Sequence, residues 1–578
     1  MAMLKTKIDE MVEFIAVGKL KSYRSISKKL SWREESVEKI ALILEKARLA
    51  KTHYPINMIE QPTVEMVGPL AKALPEQPAG NLVEEYAVSS RENLPMGTVR
   101  LLSFENGKRP TYFLILPDIS PYTRAYIEYV KEEVSKRLPI MGEEKSREVA
   151  SENFKIRYAL IASILTRDIE SDKETIDQLA DVVVSEMYGL GELEALIGDK
   201  KLEEIVINSS KFPVSVYHRS YGWLQSNIVM DSEAKIENFA QQIARKVGRQ
   251  ISVLNPLLDA HLETGDRVNA TLYPISSGGN TLTLRLFARN PWTIVTLTSK
   301  EVRSMTPEMA ALLWQAMQYE MNVLVAGGTA SGKTSALNGL LALIQPFQRI
   351  VTIEDTRELM LPRFQWNWVP MVTRMPNPEG LGEVTMLELL VNALRMRPDR
   401  IVMGEIRRKR EAEVLFEAMH TGHSVYTTLH ADTGSQVLKR LIEPPIELPP
   451  SETEDLHLLL VQFRDRRKNI RRTLELCEVV SGPTGPELNR IFTWKPRGDT
   501  FQFVKSPHRY LEELNLHTGM TETEVMQDQK DKVKVINWMA KNGLQDVDDV
   551  GKVMGVYYTD PDALVLAAEK GTSPSKVL

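Results

Sequence analysis

Eight consecutive residues, Gly327-Gly328-Thr329-Ala330-Ser331-Gly332-Lys333-Thr334, constrain this chain more than any others. They lie between an apolar run at Asn322 to Ala326, of the kind a buried parallel strand shows, and the segment Ser335 to Ile344, which is apolar with helical spacing. The spacing G-x-x-x-x-G-K-[ST] between strand and helix is that of a loop that cradles phosphate. Its glycines let backbone N–H groups turn inward, and the helix start adds partial positive charge where the anion sits. Residues 327–335 are therefore the expected nucleotide-binding segment, with Ser335 closing it. Lys333 would reach the β- and γ-phosphates and the Thr334 hydroxyl would hold Mg²⁺. A nucleotide triphosphatase using ATP and Mg²⁺ is the reading that follows.

At 578 residues the chain exceeds what one core holds, so several domains are expected. No stretch approaches the 18 consecutive apolar residues of a membrane span, and the N-terminus lacks a signal-peptide core. The expected location is the cytoplasm, with any membrane role peripheral. Cys477 is the only cysteine, which excludes an internal disulfide and a cysteine-cluster zinc site. The net charge of -5 argues against general nucleic-acid binding. Residues 1–51 nonetheless carry 12 Lys and Arg against 7 Asp and Glu, which marks a small basic N-terminal module.

Three short helices and a hairpin over residues 1–75 make that module winged-helix-like, with Ser31 and Glu34 as a capping box ahead of Val37, Ile40, Ala41 and Leu44. A basic face on such a module suits either DNA binding or protein docking, and docking is the favoured reading. A Pro-rich stretch, Pro69 to Pro78, reads as a linker. A small α+β segment over 80–148 and an α+β domain over 150–295 follow, with strand patterns at Thr98 to Phe104, Thr111 to Leu116 and Thr281 to Phe287. From 300 to 578 the apolar runs at 322–326, 349–353, 400–403, 424–429 and 473–480 alternate with helical segments, as a mostly parallel α/β sheet demands. Beyond residue 509 the chain reads as helical, broken at Gly519, Gly543 and Gly555.

Three polar clusters follow the loop. The strand Ile350 to Ile353 ends in carboxylates, of which Glu354 is a candidate to orient or deprotonate an attacking water. Arg400-Ile-Val-Met-Gly404-Glu405 has the Walker-B form with glycine where many such enzymes place an aspartate, so Glu405 would touch Mg²⁺ through water, activate the nucleophile, or do both. His420, His423 and His430 fall within eleven residues. With no cysteine nearby, and with His423 and His430 at opposite ends of one strand, contact with the γ-phosphate is a better reading than metal ligation. Phosphoryl transfer also calls for cations. Arg267 and Arg285 precede the loop, and Arg407 and Arg408 flank the Walker-B strand.

Taken in order, GGTASGKT, TIEDTREL, RPDRIVMGEIRR and HTGHSVYTTLHADT resemble the secretion ATPase superfamily of type II and type IV systems, which includes pilus-assembly, archaellum and conjugation ATPases. The resemblance covers roughly residues 80–570. It runs through Leu193 to Asn227, Arg464-Asp-Arg-Arg467, Tyr557-Tyr558 and Asp560-Pro561, and is strongest with the archaeal branch. It implies a PAS-like N-terminal α+β domain hinged to a RecA-like P-loop domain, assembled as a homo-hexamer. Glu354, Glu405, His423 and His430 match the family's acidic-box, Walker-B and histidine-box residues, and Arg267 and Arg285 its N-terminal-domain arginines. The implied work is assembly or secretion of pilin-like subunits through a polytopic platform protein at the inner face of the cell membrane, where the anionic bilayer surface is a further contact. The competing reading is a nucleic-acid translocase that holds its track with the N-terminal module.

Overall fold

In the computed structural model, residues 4–16, 20–55, 61–67, 80–89, 95–104, 109–137, 147–262, 264–287, 291–376, 380–468, 470–483 and 485–578 are described. The Pro-rich stretch read as a linker lies outside them. The chain divides into two compact units, Met1–Phe287 and Ala288–Leu578.

The second unit is built on a nine-stranded sheet. Its first six strands in spatial order, Trp368–Val372, Ile350–Glu354, Arg400–Met403, Ser424–Leu429, Val323–Gly327 and Leu458–Asp465, are all parallel. Four of the inner ones are buried at every residue, which is why they read as largely apolar runs. Ile470–Gly482, Gly485–Lys495 and Thr500–Phe503 continue the sheet antiparallel. The run at 473–480 is therefore not one of the parallel strands. Only residues 466–469 separate it from its neighbour, and a parallel return needs a crossover of a dozen or more residues. One face of the sheet packs on the helices Pro307–Gln318 and Lys333–Leu341 and on the C-terminal helices, the other on Met386–Ala393, Lys409–His420 and Gly434–Ile442.

The C-terminal helices Arg509–Thr518, Glu522–Lys541, Val547–Tyr557 and Pro561–Lys570 are separated at Gly519 and Gly543, both with positive φ, but not at Gly555. That glycine lies inside Val547–Tyr557 because a Cβ there would come within 2.6 Å of the Phe364 ring. Lys532, fully buried, anchors this bundle through Asp528 and a 2.8 Å hydrogen bond to the Tyr557 hydroxyl.

The first unit holds a second nine-stranded sheet, ordered Leu257–His261, Arg267–Thr271, Thr281–Arg285, Leu202–Ile207, Pro213–His218, Gly222–Val229, Thr111–Ile115, Pro95–Ser103 and Asn81–Ser89. All its pairs are antiparallel save Thr111–Ile115 with Gly222–Val229. Burial alternates along Gly222–Val229, the mark of a sheet with one packed face. Glu233–Lys246 and Leu193–Gly198 cover that face.

Segment 80–148 is not a body of its own. Its strands extend this sheet, while Pro121–Arg137 joins the core formed by the N-terminal helices Lys7–Ala16, Tyr23–Leu30 and Glu34–Lys46 with Arg147–Ile169 and Lys173–Tyr188. Ser31 does not cap Glu34–Lys46. It closes the preceding helix with φ 50°, and Arg33 holds the N-cap position. Arg33 pairs with Glu170, just past the end of Arg147–Ile169, and Lys39 and Lys46 pair with Asp168 and Glu132 on the adjoining helices. Part of the module's basic charge is thus already matched within the unit.

Candidate nucleotide site

The parallel strands end on one edge, and the polar residues of the site are the residues at those ends. Val323–Gly327 runs into the phosphate loop and then the helix Lys333–Leu341. Gly327 has φ 151°, and a Cβ on it would lie 2.4 Å from the Gln462 carbonyl oxygen, so both conformation and space require glycine. Gly332 has φ 96°, while Ala330 takes the left-handed region at φ 57° without being glycine. Thr329 and Ala330 are exposed at the loop tip, and Gly328, Thr334 and Ser335 are half-buried. The Ser331 hydroxyl is buried without a hydrogen-bond partner among the described residues.

Lys333 is buried, and its ammonium donates to the carbonyls of Gly327 at 3.0 Å and Gly328 at 3.2 Å. A third contact, 3.3 Å, goes to His430 Nδ1. Burial lowers the Lys333 pKa, opposed by Glu405, Glu358 and Asp432. Burial also lowers that of His430, helped by Lys333. A neutral imidazole follows, with Nδ1 accepting from Lys333 and Nε2 facing Glu405 Oε1 at 3.4 Å. The other Glu405 oxygen meets Arg407 at 3.3 Å, and Arg407 also binds Asp355. One arginine thus ties the Walker-B carboxylate to the acidic box.

Glu354 ends its strand only 3% exposed. Its Oε1 accepts from the backbone N–H groups of Glu358 at 2.8 Å and Leu359 at 2.9 Å, while Oε2 is buried with no partner among the described residues. Burial raises its pKa to about 7, against the lowering effect of those two hydrogen bonds. Asn338, buried in the loop helix, clamps the acidic box by donating to Glu358 O and accepting from Met360 N. Motif spacing gives Asn338 no role; its one signal in the chain is an amide in a segment, Ser335 to Ile344, whose only other polar side chain is Ser335.

His423 is not brought to this cluster. It precedes Ser424–Leu429 and lies at the amino edge of the sheet, bonded to Thr421 and the Ala418 carbonyl. At about 3.3 Å per residue the strand puts roughly 20 Å between it and His430. His420 lies at the same far edge, 3.2 Å from Asp455. Arg267 and Arg285 belong to the first unit, where they stand directly opposite each other on neighbouring strands. Arg267 is paired with Asp259 at 2.7 Å, and Arg285 is opposite Glu204.

The type II/IV secretion system protein model matches residues 193–448. The Methanocaldococcus jannaschii protein MJ0900 is 33% identical over 386 residues, 66% of this chain and 68% of that protein. The chain belongs to the type II/IV secretion system protein family. The archaeal protein MJ0781 from the same organism is 39% identical over 312 residues, 53% of this chain but only 40% of its own length. The type IV secretion system protein VirB11 of Bartonella quintana is 29% identical over half of this chain and 91% of its own. Among solved structures, the ATPase DotB of Legionella pneumophila covers 61% of this chain and 92% of its own at 18% identity and a TM-score of 0.36, too low to add to the strand order above. The nine-stranded parallel-core unit is accordingly the RecA-like P-loop domain of a secretion ATPase, and the chain an ATP-hydrolysing enzyme.

Proposed function

We propose that this secretion ATPase works as a homo-hexameric ring at the inner face of the cell membrane, hydrolysing MgATP to move pilin-like subunits through a polytopic platform protein. The observation that carries the reading is the carboxyl edge itself, where His430 contacts both Lys333 and Glu405 and a buried Glu354 oxygen has no partner among the described residues.

Buried polar atoms are nearly always satisfied, so an orphaned carboxylate oxygen marks a place made for something else. Glu354 Oε2 takes the proton of the attacking water, and its pKa of about 7 suits that task near neutral pH. Lys333 transfers its ammonium from the Gly327 and Gly328 carbonyls to the incoming phosphates. That frees His430 Nδ1, while Nε2 keeps hold of Glu405. Thr334 and Glu405 have the hard oxygens that fit Mg²⁺ and would hold it, Glu405 through a water, and the ion would there offset negative charge on the phosphates. Arg267 and Arg285 supply the further cations the family likeness assigns to the transferring phosphoryl group.

Steady-state ATP hydrolysis against protein concentration, with anionic liposomes or DNA added and Glu405→Gln alongside, tests the reading. Turnover should rise more steeply than concentration and again with liposomes, and Glu405→Gln should bind ATP yet lose roughly a hundredfold or more in rate. Linear activity stimulated by DNA alone would overturn it in favour of a translocase.

A further inference from the structure

The hairpin that joins Leu458–Asp465 to Ile470–Gly482 carries Arg464, Arg466, Arg467, Lys468 and Arg471 against a single Asp465. It turns at the same edge of the sheet as the phosphate loop, because Leu458–Asp465 is the parallel neighbour of Val323–Gly327. Gln462 of the hairpin backs Gly327 so closely that no Cβ fits between them, and its side-chain amide donates to the Thr473 hydroxyl at 2.9 Å. Arg471, two residues before Thr473 and therefore on the same face of its strand, reaches over the loop. Its Nε donates to the Ala330 carbonyl at 3.2 Å, and its Cδ lies 3.4 Å from where a Cβ on Gly332 would be.

Ala330 is the residue of the loop whose conformation most needs support. Its left-handed φ of 57° is unfavourable for any side chain but glycine's, yet the turn there decides which way the following N–H groups point. A carbonyl directed outward and captured leaves the N–H groups directed inward. Lys333 cannot hold that turn during turnover, since it is needed by the phosphates.

We propose that Arg471 is a positioning residue of the phosphate loop. It holds the Ala330 carbonyl on the outside of the loop and so presets the backbone N–H groups for phosphate. The inference rests on the nucleotide-site reading above and adds to it a cation from the same unit that acts on the backbone rather than on the reacting phosphorus. Its planar Nε–H, not merely its charge, is what the geometry uses.

The test is equilibrium binding of a fluorescent ATP analogue and the matching ADP analogue to the full chain. The variants are Arg471→Ala, Arg471→Lys, and Arg467→Ala as a charge control on the same hairpin. Arg471→Ala should weaken both nucleotides by about tenfold, the worth of one charge-assisted hydrogen bond, with the thermal midpoint of the nucleotide-free protein unchanged. Arg471→Lys should resemble Arg471→Ala, and Arg467→Ala should stay within about twofold of the parent. Parent-like affinity in Arg471→Ala, full restoration by lysine, or an equal loss in Arg467→Ala would overturn the positioning role while leaving the nucleotide site intact. If the parent chain binds neither analogue, the underlying reading fails and the proposal with it.

Discussion

The two edges of the parallel sheet are made by the same strands over the same core, yet they treat their polar groups in opposite ways. At the amino edge Asn322 is fully engaged. Its amide oxygen takes Val425 N at 2.9 Å, its NH₂ gives to Asp455 O at 2.9 Å, and its backbone N–H gives to His457 Nδ1 at 3.0 Å. Arg400, with no exposed surface, is held there by Gln348 and the Tyr426 hydroxyl and faces Glu320 at 3.6 Å. At the carboxyl edge the Ser331 hydroxyl and one Glu354 oxygen are buried without partners among the described residues. The amino edge is nearly finished by the fold: Arg400 Nη2 makes no hydrogen bond among the described residues, but it faces the Glu320 carboxylate. The other is left for a ligand to finish, and it is the edge toward which the loop's glycines, the lysine and the Walker-B carboxylate converge.

Glu354→Gln tests the unfinished edge most severely. It should lower turnover by roughly a hundredfold or more. It should also change how stability depends on pH. The folded Glu354 pKa of about 7 lies above its usual 4.5, so the folded chain holds this proton more tightly than the unfolded chain. Its contribution is fully present below pH 4.5 and is lost as pH rises through 7, on the order of 3 kcal/mol in all. Unfolding experiments at pH 5 and pH 8 should therefore differ less for Glu354→Gln than for the parent. An identical difference in both would mean that the buried oxygen carries no such strain.

Arg400→Ala probes the finished edge. Removing a buried, bonded cation should cost about 3–5 kcal/mol in denaturant unfolding, while nucleotide affinity of the protein that remains folded stays as it was. A matching loss of affinity would show that the two edges are coupled through the strands. The smallest effect, and the sharpest contrast, is expected from the two histidines at the ends of Ser424–Leu429. His430→Ala should slow hydrolysis about tenfold by removing the imidazole that holds Glu405, and His423→Ala should change it less than about twofold. A loss at His423 as large as at His430 would place the amino edge in a catalytic site after all.

Much of this domain was legible because its signals are local. The phosphate loop needs glycine where a positive φ meets a close neighbour, as at Gly327, and a strand buried on both faces is mostly apolar, so Val323–Gly327 stands out in the chain itself. The misreadings share a different origin. Gly555 resembles a helix stop until Phe364, nearly two hundred residues away in the chain, is found lying against it. Ser31 and Glu34 have capping-box spacing, but the chain uses Ser31 to leave one helix before Arg33 starts the next. The run at 473–480 has the composition of a buried strand whichever way it points, and only its short connection sets it antiparallel.

The same division holds for the site. The sequence alone determined the phosphate loop, the carboxylates that follow it and the likeness to secretion ATPases, because backbone conformation and strand burial restrict residue type position by position. Only the tertiary structure decided that His430 joins Lys333 and Glu405 while His423 does not, that Asn338 clamps the acidic box, and that Arg471 holds Ala330. Those relations depend on which strand ends share an edge and on which side chains reach across neighbouring strands. Strand order in a sheet is set by long-range packing, and motif spacing carries no record of it.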